Sequence, residues 1–232
     1  MRLFLGFLIG VVLACVIALT AMKSAWGGIG DIGDRDRKDD ETRIVDVTDF
    51  DRVDAAGVFE LKIAVGGDYS VSLAGRAEDL ARTTATVAEG ALVLDTNERD
   101  ASGKRKFVKH GITATIRLPS LVAISASGVV DGEVTGVAAE KFDADISGVG
   151  ELNLAGTCGA LTADVSGVGE LNAENLKCRS VDVDLSGVGE AKVYASESAD
   201  ADLAGIGEIE IYGSPGQVSK SKSSPFGRIE VK

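Results

Sequence analysis

Carboxylates recur along this chain at nearly constant spacing. Asp145, Asp164, Asp184 and Asp202 form one series, and Glu151, Glu170, Glu190 and Glu208 a second. Asp143, Asp182 and Asp200 form a partial third, with Thr162 filling the gap. Rows of carboxylate oxygens suit Ca²⁺, which takes ~6–8 oxygen ligands in flexible geometry. The eight residues of the first two series are therefore candidate Ca²⁺ ligands, with carbonyls at neighbouring glycines as further donors. The competing reading is electrostatic: charge along a sheet surface keeps it soluble and discourages edge-to-edge pairing. The Gly-Gly-x-Gly-x-Asp nonapeptide of calcium-binding β-rolls is absent, and no other cofactor is implied.

Cys158 and Cys178 each lie eight residues before a Ser-Gly-Val-Gly block. Equivalent positions in adjacent repeats bring Cα atoms within disulfide reach, so an oxidising periplasm favours a bridge. The alternative is two small thiols stacked in the core. The single His, His110, ends the basic cluster Lys104-Arg105-Lys106-Phe107-Val108-Lys109-His110 and has no acid–base partner in the sequence. That cluster is read as a solvated hairpin loop, as a contact for an anionic headgroup or polysaccharide, or as a dock for the acidic face of another copy. No catalytic residue is assigned.

These groups are positioned by a repeat. Ser147-Gly148-Val149-Gly150-Glu151-Leu152-Asn153 returns from Ser166, again from Ser186 through Glu190, and as Ala204-Gly205-Ile206-Gly207-Glu208. A looser copy starts at Ser127, and a faint one is Ala56-Gly57-Val58-Phe59-Glu60-Leu61. Between the blocks apolar and polar residues alternate, as in Phe142, Ala144 and Ile146 against Asp143, Asp145 and Ser147. Period 2 marks strands with one buried face. Strands on a constant repeat describe a solenoid whose ~19-residue coils stack at ~4.8 Å. The fold class is thus all-β, a parallel β-helix or solenoid, with the clearest repeats over 127–212. Gly pairs mark the corners, where a positive φ is sterically free only for Gly. Glu78 to Ala88 is too short and Thr-rich to read as a helix. The row Val129, Val149, Val168, Val188 and Ile206 either turns inward at the corner or forms an exposed stripe for another protein.

Of 232 residues, 24 are Lys or Arg and 36 Asp or Glu, a net charge of -12. An acidic chain is a poor nucleic-acid partner, because such binders need a basic face. Residues 127–212 hold 17 acids against 4 bases, enough to account for the whole excess. Residues 3–22 are apolar and uncharged between Arg2 and Lys23, long enough to span a bilayer. Residues 1–25 are read as a cleaved signal peptide, an uncleaved membrane anchor, or a lipoprotein signal in which Val12-Leu13-Ala14-Cys15 presents Cys15 for lipidation. All three export the rest. Residues 26–43 read as a flexible charged tether, and 44–232 as the solenoid domain. The tail from Gly213 to Lys232 suits a C-terminal cap.

The body from about Ile44 resembles the DUF2807 family, described as "putative auto-transporter adhesin, head GIN domain". The resemblance rests on Phe50-Asp51-Arg52-Val53, Gly57-Val58-Phe59-Glu60-Leu61, Tyr69-Ser70-Val71, Gly90-Ala91-Leu92-Val93-Leu94 and the Ser-Gly-Val-Gly ladder. It implies a parallel β-helix-like fold, right-handed, on an exported bacterial envelope protein. The ladder reads Ser-Gly-Val-Gly-Glu where the family name leads one to expect Gly-Ile-Asn. The leading functional expectation is a non-enzymatic surface module at the periplasm or cell surface. It would be membrane-tethered, adhesin-like, and partnered by other envelope proteins, polysaccharide or further copies of itself. The alternatives are a Ca²⁺-dependent polysaccharide-active enzyme, since β-helices host such activities, and an envelope regulatory or stress protein.

Overall fold

The structure is a computed structural model that describes residues 40–96, 98–99, 105–106, 108 and 110–232. Residues 3–22, Cys15, and Lys104, Phe107 and Lys109 of the basic cluster lie outside the described residues.

Strands dominate. In chain order they are β1 (Asp40–Val45), β2 (Arg52–Ala56), β3 (Val58–Val65), β4 (Ser70–Arg76), β5 (Thr84–Ala88), β6 (Ala91–Asp95), β7 (Glu98–Arg99) and β8 (Arg105–Lys106). There follow β9 (Ile112–Leu118), β10 (Ala123–Ala126), β11 (Val129–Ile146), β12 (Val149–Val165), β13 (Val168–Leu185), β14 (Val188–Leu203), β15 (Ile206–Tyr212), β16 (Gln217–Lys222) and β17 (Gly227–Val231). One helical turn, α1 (Ala77–Leu80), overlaps the stretch that read as non-helical. β1 takes in Asp40 to Arg43, the last four residues of the stretch read as a tether. Arg43 holds it there by donating to the carbonyls of Leu80 and Thr83 at 3.0 and 2.7 Å.

The long strands β11 to β14 each run around a coil and pair in parallel with the next, forming a β-solenoid of about five turns. Alternate residues point inward, as the period predicts. The column Val53, Ile124, Ala144, Ala163, Val183 and Ala201 is buried on every rung. So is Leu61, Gly132, Leu152, Leu171, Ala191 and Ile209 on the next face. No single coil can close such a core, so each one's inner face is buried by stacking.

The faint N-terminal copy stacks in register: Val58 pairs with Val129 and Glu60 with Asp131. Its neighbours do not follow chain order, however. β6 and β9 lie on one side of β2 and β3, and β10 and β11 on the other. The chain therefore winds β2–β3, leaves to form the antiparallel partners β4 and β5, and returns outside its own first coil. These antiparallel strands cover that end. At the other end β16 and β17 form the last rung, on β14 and β15.

Candidate functional site: an aliphatic ridge between two carboxylate columns

The first corner of each coil is a stack of glycines: 57, 128, 148, 167, 187 and 205. The backbone explains them. The amides of Val129, Val149, Val168, Val188 and Ile206 donate to the carbonyls of Gly57, Gly128, Gly148, Gly167 and Gly187 at 2.6 to 2.9 Å. Those carbonyls point along the solenoid axis, and a Cβ added to the glycine on the following coil would collide with them. The sequence suggested positive φ as the reason for Gly. In this stack only Gly57, at φ 146°, adopts it, and close approach of successive backbones accounts for the others.

The same geometry turns the next residue outward. Val58, Val129, Val149, Val168, Val188 and Ile206 pair in sequence as one column. Val129, Val188 and Ile206 are 38, 46 and 44% exposed, so the row forms an external ridge.

An acid column flanks the ridge on each side. On one, Asp145, Asp164, Asp184 and Asp202 face one another in register, and the partial series Asp143, Thr162, Asp182 and Asp200 runs parallel to it. On the other, Glu151, Glu170, Glu190 and Glu208 do the same. This second column is longer than the sequence reading made it. Glu60 and Asp131 extend it, and Arg228 terminates it. Asp131 stands two residues after Val129, as Glu151 does after Val149, and that offset could have revealed it.

The two columns differ in ion pairing, although in the second Asp131 is also pushed up, by burial and then by Glu151 and Glu60. Lys192 bridges Glu170 and Glu190 at 3.3 and 3.2 Å, and Lys62 meets Glu60 at 2.7 Å. The amides of Asn153 and Asn172 both donate to Glu151 Oε1, at 2.9 and 3.4 Å. Burial pulls the Lys192 ammonium down, but its hydrogen bonds to Glu190 and Glu170 outweigh it and leave its pKa raised. The Asp column enters no ion pair among the described residues. Burial, then Asp202, Asp164 and Asp182, push the Asp184 carboxyl up. Burial and Asp164 do the same to Asp145, against a hydrogen bond from Ser147.

Among the described residues, two groups of three possible metal ligands lie within 4.8 Å: Glu78, Asp79 and His110, and Glu208, Glu210 and Glu230. Neither draws on the Asp column, whose carboxylates stand one per rung. In the second group Lys232 Nζ lies 2.7 Å from both Glu210 and Glu230.

His110, unpartnered in the sequence reading, has its Nδ1 3.1 Å from the fully buried Asp79 carboxylate. The pair ties α1 to the start of β9, and its 31-residue separation left no sequence signal. Cys158 and Cys178 pair in register on β12 and β13, buried, with Cα atoms 4.5 Å apart and their sulfurs joined as a disulfide. Within the basic cluster, Arg105 and Lys106 form β8, an antiparallel partner of β7. Among the described residues no helix is long and apolar enough to cross a membrane.

Residues 49–215 match the family model described as "Putative auto-transporter adhesin, head GIN domain". Solved structures similar to the chain include a putative adhesin from Bacteroides fragilis NCTC 9343. It is 28% identical with TM-score 0.66, over 84% of this chain and 98% of that one. A putative adhesin from Parabacteroides merdae ATCC 43184 is 14% identical with TM-score 0.44, over 82% and 96%. A putative lipid binding protein from Parabacteroides distasonis ATCC 8503 is 18% identical with TM-score 0.45, over 83% and 97%. No curated protein matches the chain.

Proposed function

Since the chain belongs to the head GIN family of auto-transporter adhesin-like domains, we propose that it is a non-enzymatic, exported envelope protein. It works by presenting the first corner of its solenoid to a macromolecular partner. The observation that carries this reading is the ridge: six aliphatic side chains in unbroken register, partly exposed, between two acid columns. A continuous exposed apolar strip with a polar rim is the usual mark of a protein contact surface. Its acidic flanks select a partner with an apolar strip between basic groups, and they repel a second copy docking ridge to ridge. At this first corner each coil repeats the same chemistry, which supports an extended contact over a single reaction centre. Residues 3–22 would deliver the chain to the envelope and hold it there, with the segment from 26 as spacer.

Site-specific photocrosslinking in producing cells tests the reading. A photoreactive residue at position 168 is expected to give a discrete adduct with an envelope protein, and one at position 67, away from the ridge, is not. Equal labelling at both positions, or none at 168, would overturn it.

A further inference from the structure

The first-corner column recurs at 129, 149, 168, 188 and 206, so successive coils hold 20, 19, 20 and 18 residues. The second corner absorbs most of the difference, and Ser196 and Glu197 of β14, opposite the single Arg179 of β13, take up the rest. In β11, Thr135 and Gly136 stand opposite the single residue Ala155 of β12. In β13, one extra residue is taken up between Asn172 and Asn175, and Glu174 to Leu176 have no counterpart in β14. β11 and β13 thus bulge while β12, between them, does not. A groove of about 460 Å³ lies there over Ala155, lined by Glu133, Thr135, Asn153, Asn172, Glu174 and Lys192. That volume falls in the ~300–1,000 Å³ range of small-ligand clefts.

The groove also breaks the chemical repeat. Along the ridge and the two acid columns one chemical class recurs from coil to coil. Here Lys62, Glu133, Asn153, Asn172, Lys192 and Glu210 follow one another. Two residues beyond Lys192 and Glu210, Tyr194 and Tyr212 pair on adjacent coils. Lys177 sits over the Tyr194 ring at 3.9 Å, and the Tyr212 hydroxyl donates to Glu210 at 2.7 Å. The two tyrosines and three asparagines of the repeat region thus stand near this corner, while Phe142 lies in the core.

We propose that this groove binds a short stretch of neutral glycan. Amides held in place by Glu151, together with the carboxylates of Glu133 and Glu174 and the Lys192 ammonium, offer donors and acceptors side by side, which suits sugar hydroxyls that both donate and accept. Two carboxylates, Glu133 and Glu174, face one ammonium that is already bridged to Glu170 and Glu190. That balance excludes phosphate, sulfate and uronate groups. The site lies at a different corner from the ridge and does not depend on it.

The test is saturation-transfer NMR on the full chain in a detergent without a sugar headgroup. The probes are chitobiose, cellobiose, maltotriose and xylotriose, with trigalacturonate and spermidine as charged comparators. Transfer to at least one neutral sugar is expected. It should be lost in Asn153→Ala/Asn172→Ala and in Ala155→Trp, which fills the dent, and kept in Val168→Ser, with unchanged melting certifying each fold. Should Ala155→Trp fail to fold, exposed Asn175→Ala at the groove's edge replaces it, with weakened transfer expected. Transfer to no neutral sugar, transfer only to trigalacturonate or spermidine, or transfer unaffected by the groove variants would each overturn the proposal. Loss of the position-168 crosslink with sugar binding intact would count against the ridge alone.

Discussion

Lys220 pairs with Ala201 on the last rung of the solenoid. Ala201 is fully buried in an inward column, and Lys220 is exposed in the same column. Lys222 repeats the relationship with Leu203. Their ammoniums reach across the open end to the carbonyls of Ile229 and Gly227, at 3.4 and 3.1 Å, so the stems lie over apolar surface while the charges stay wet. A charge in an inward position is a known guard for a sheet edge. Lys220→Val/Lys222→Leu should therefore expose an adhesive end. Sedimentation velocity is expected to show concentration-dependent association of the double variant beyond that of the parent; identical profiles would remove the guarding role.

The glycine stack predicts a sharp positional contrast. Gly148→Ala places a methyl against the Gly128 carbonyl, whereas a Cβ on Gly67 meets nothing within 4 Å. The first should cost about 2–3 kcal/mol and the second no more than about 0.5 kcal/mol, read by urea denaturation. Equal costs would mean that the coils can slide apart to admit a side chain.

The Asp column should make the protein more stable in mild acid. Asp145 and Asp184 have pKa values raised above 3.8. A carboxyl raised in the folded state costs stability as pH climbs through its folded value, and returns it on acidification. Glu210 and Glu230 are held low by Lys232, so their contribution is lost as pH falls through their lowered values. The melting temperature is expected to rise from neutral pH towards the raised Asp values, then fall as the Lys232 contacts fail. Asp184→Asn should give about 0.5 kcal/mol at neutral pH, below the ~1 kcal/mol of one unscreened neighbour in water.

Salt separates screening from coordination. NaCl should raise the melting temperature, and CaCl₂ at matched ionic strength should raise it equally if Ca²⁺ merely screens the carboxylates. That equality is the expected result. A Ca²⁺-specific surplus, abolished by EDTA and by Asp164→Asn/Asp184→Asn, would make the column a cation site.

Cys158 and Cys178 close a loop of 20 residues between neighbouring coils. Replacing both with Ala, or reducing the bridge, should lower stability by about 3 kcal/mol on a chain-entropy argument. Denaturation with and without reductant checks it, and the double variant should show no response to reductant.

The regular coils were legible because near-identical blocks fix their own register: if Gly148 sits on Gly167, then Asp145 must face Asp164. The same logic carried Cys158 onto Cys178. The corner geometry was not legible, since period 2 fails where the chain turns and the Val row had no parity to obey. Nor was the winding of the first coil. β2 and β3 are flanked by strands that follow them by between about forty and seventy residues, and no local pattern encodes such pairing. Unequal coil lengths were visible in the sequence, but only the register of Thr135, Ala155 and Glu174, and of Arg179 against Ser196 and Glu197, shows where they are taken up.

Because the extra and missing residues fall away from the first corner, at the second corner and again at Ser196 and Glu197 of β14, the first corner keeps its alignment whatever the number of coils. A duplication of residues 149–167 would add one step, ~4.8 Å, to the ridge and to both acid columns together. The molecule is in this sense a ruler: its reach can be lengthened or shortened by whole graduations while the chemistry it presents at each mark stays the same.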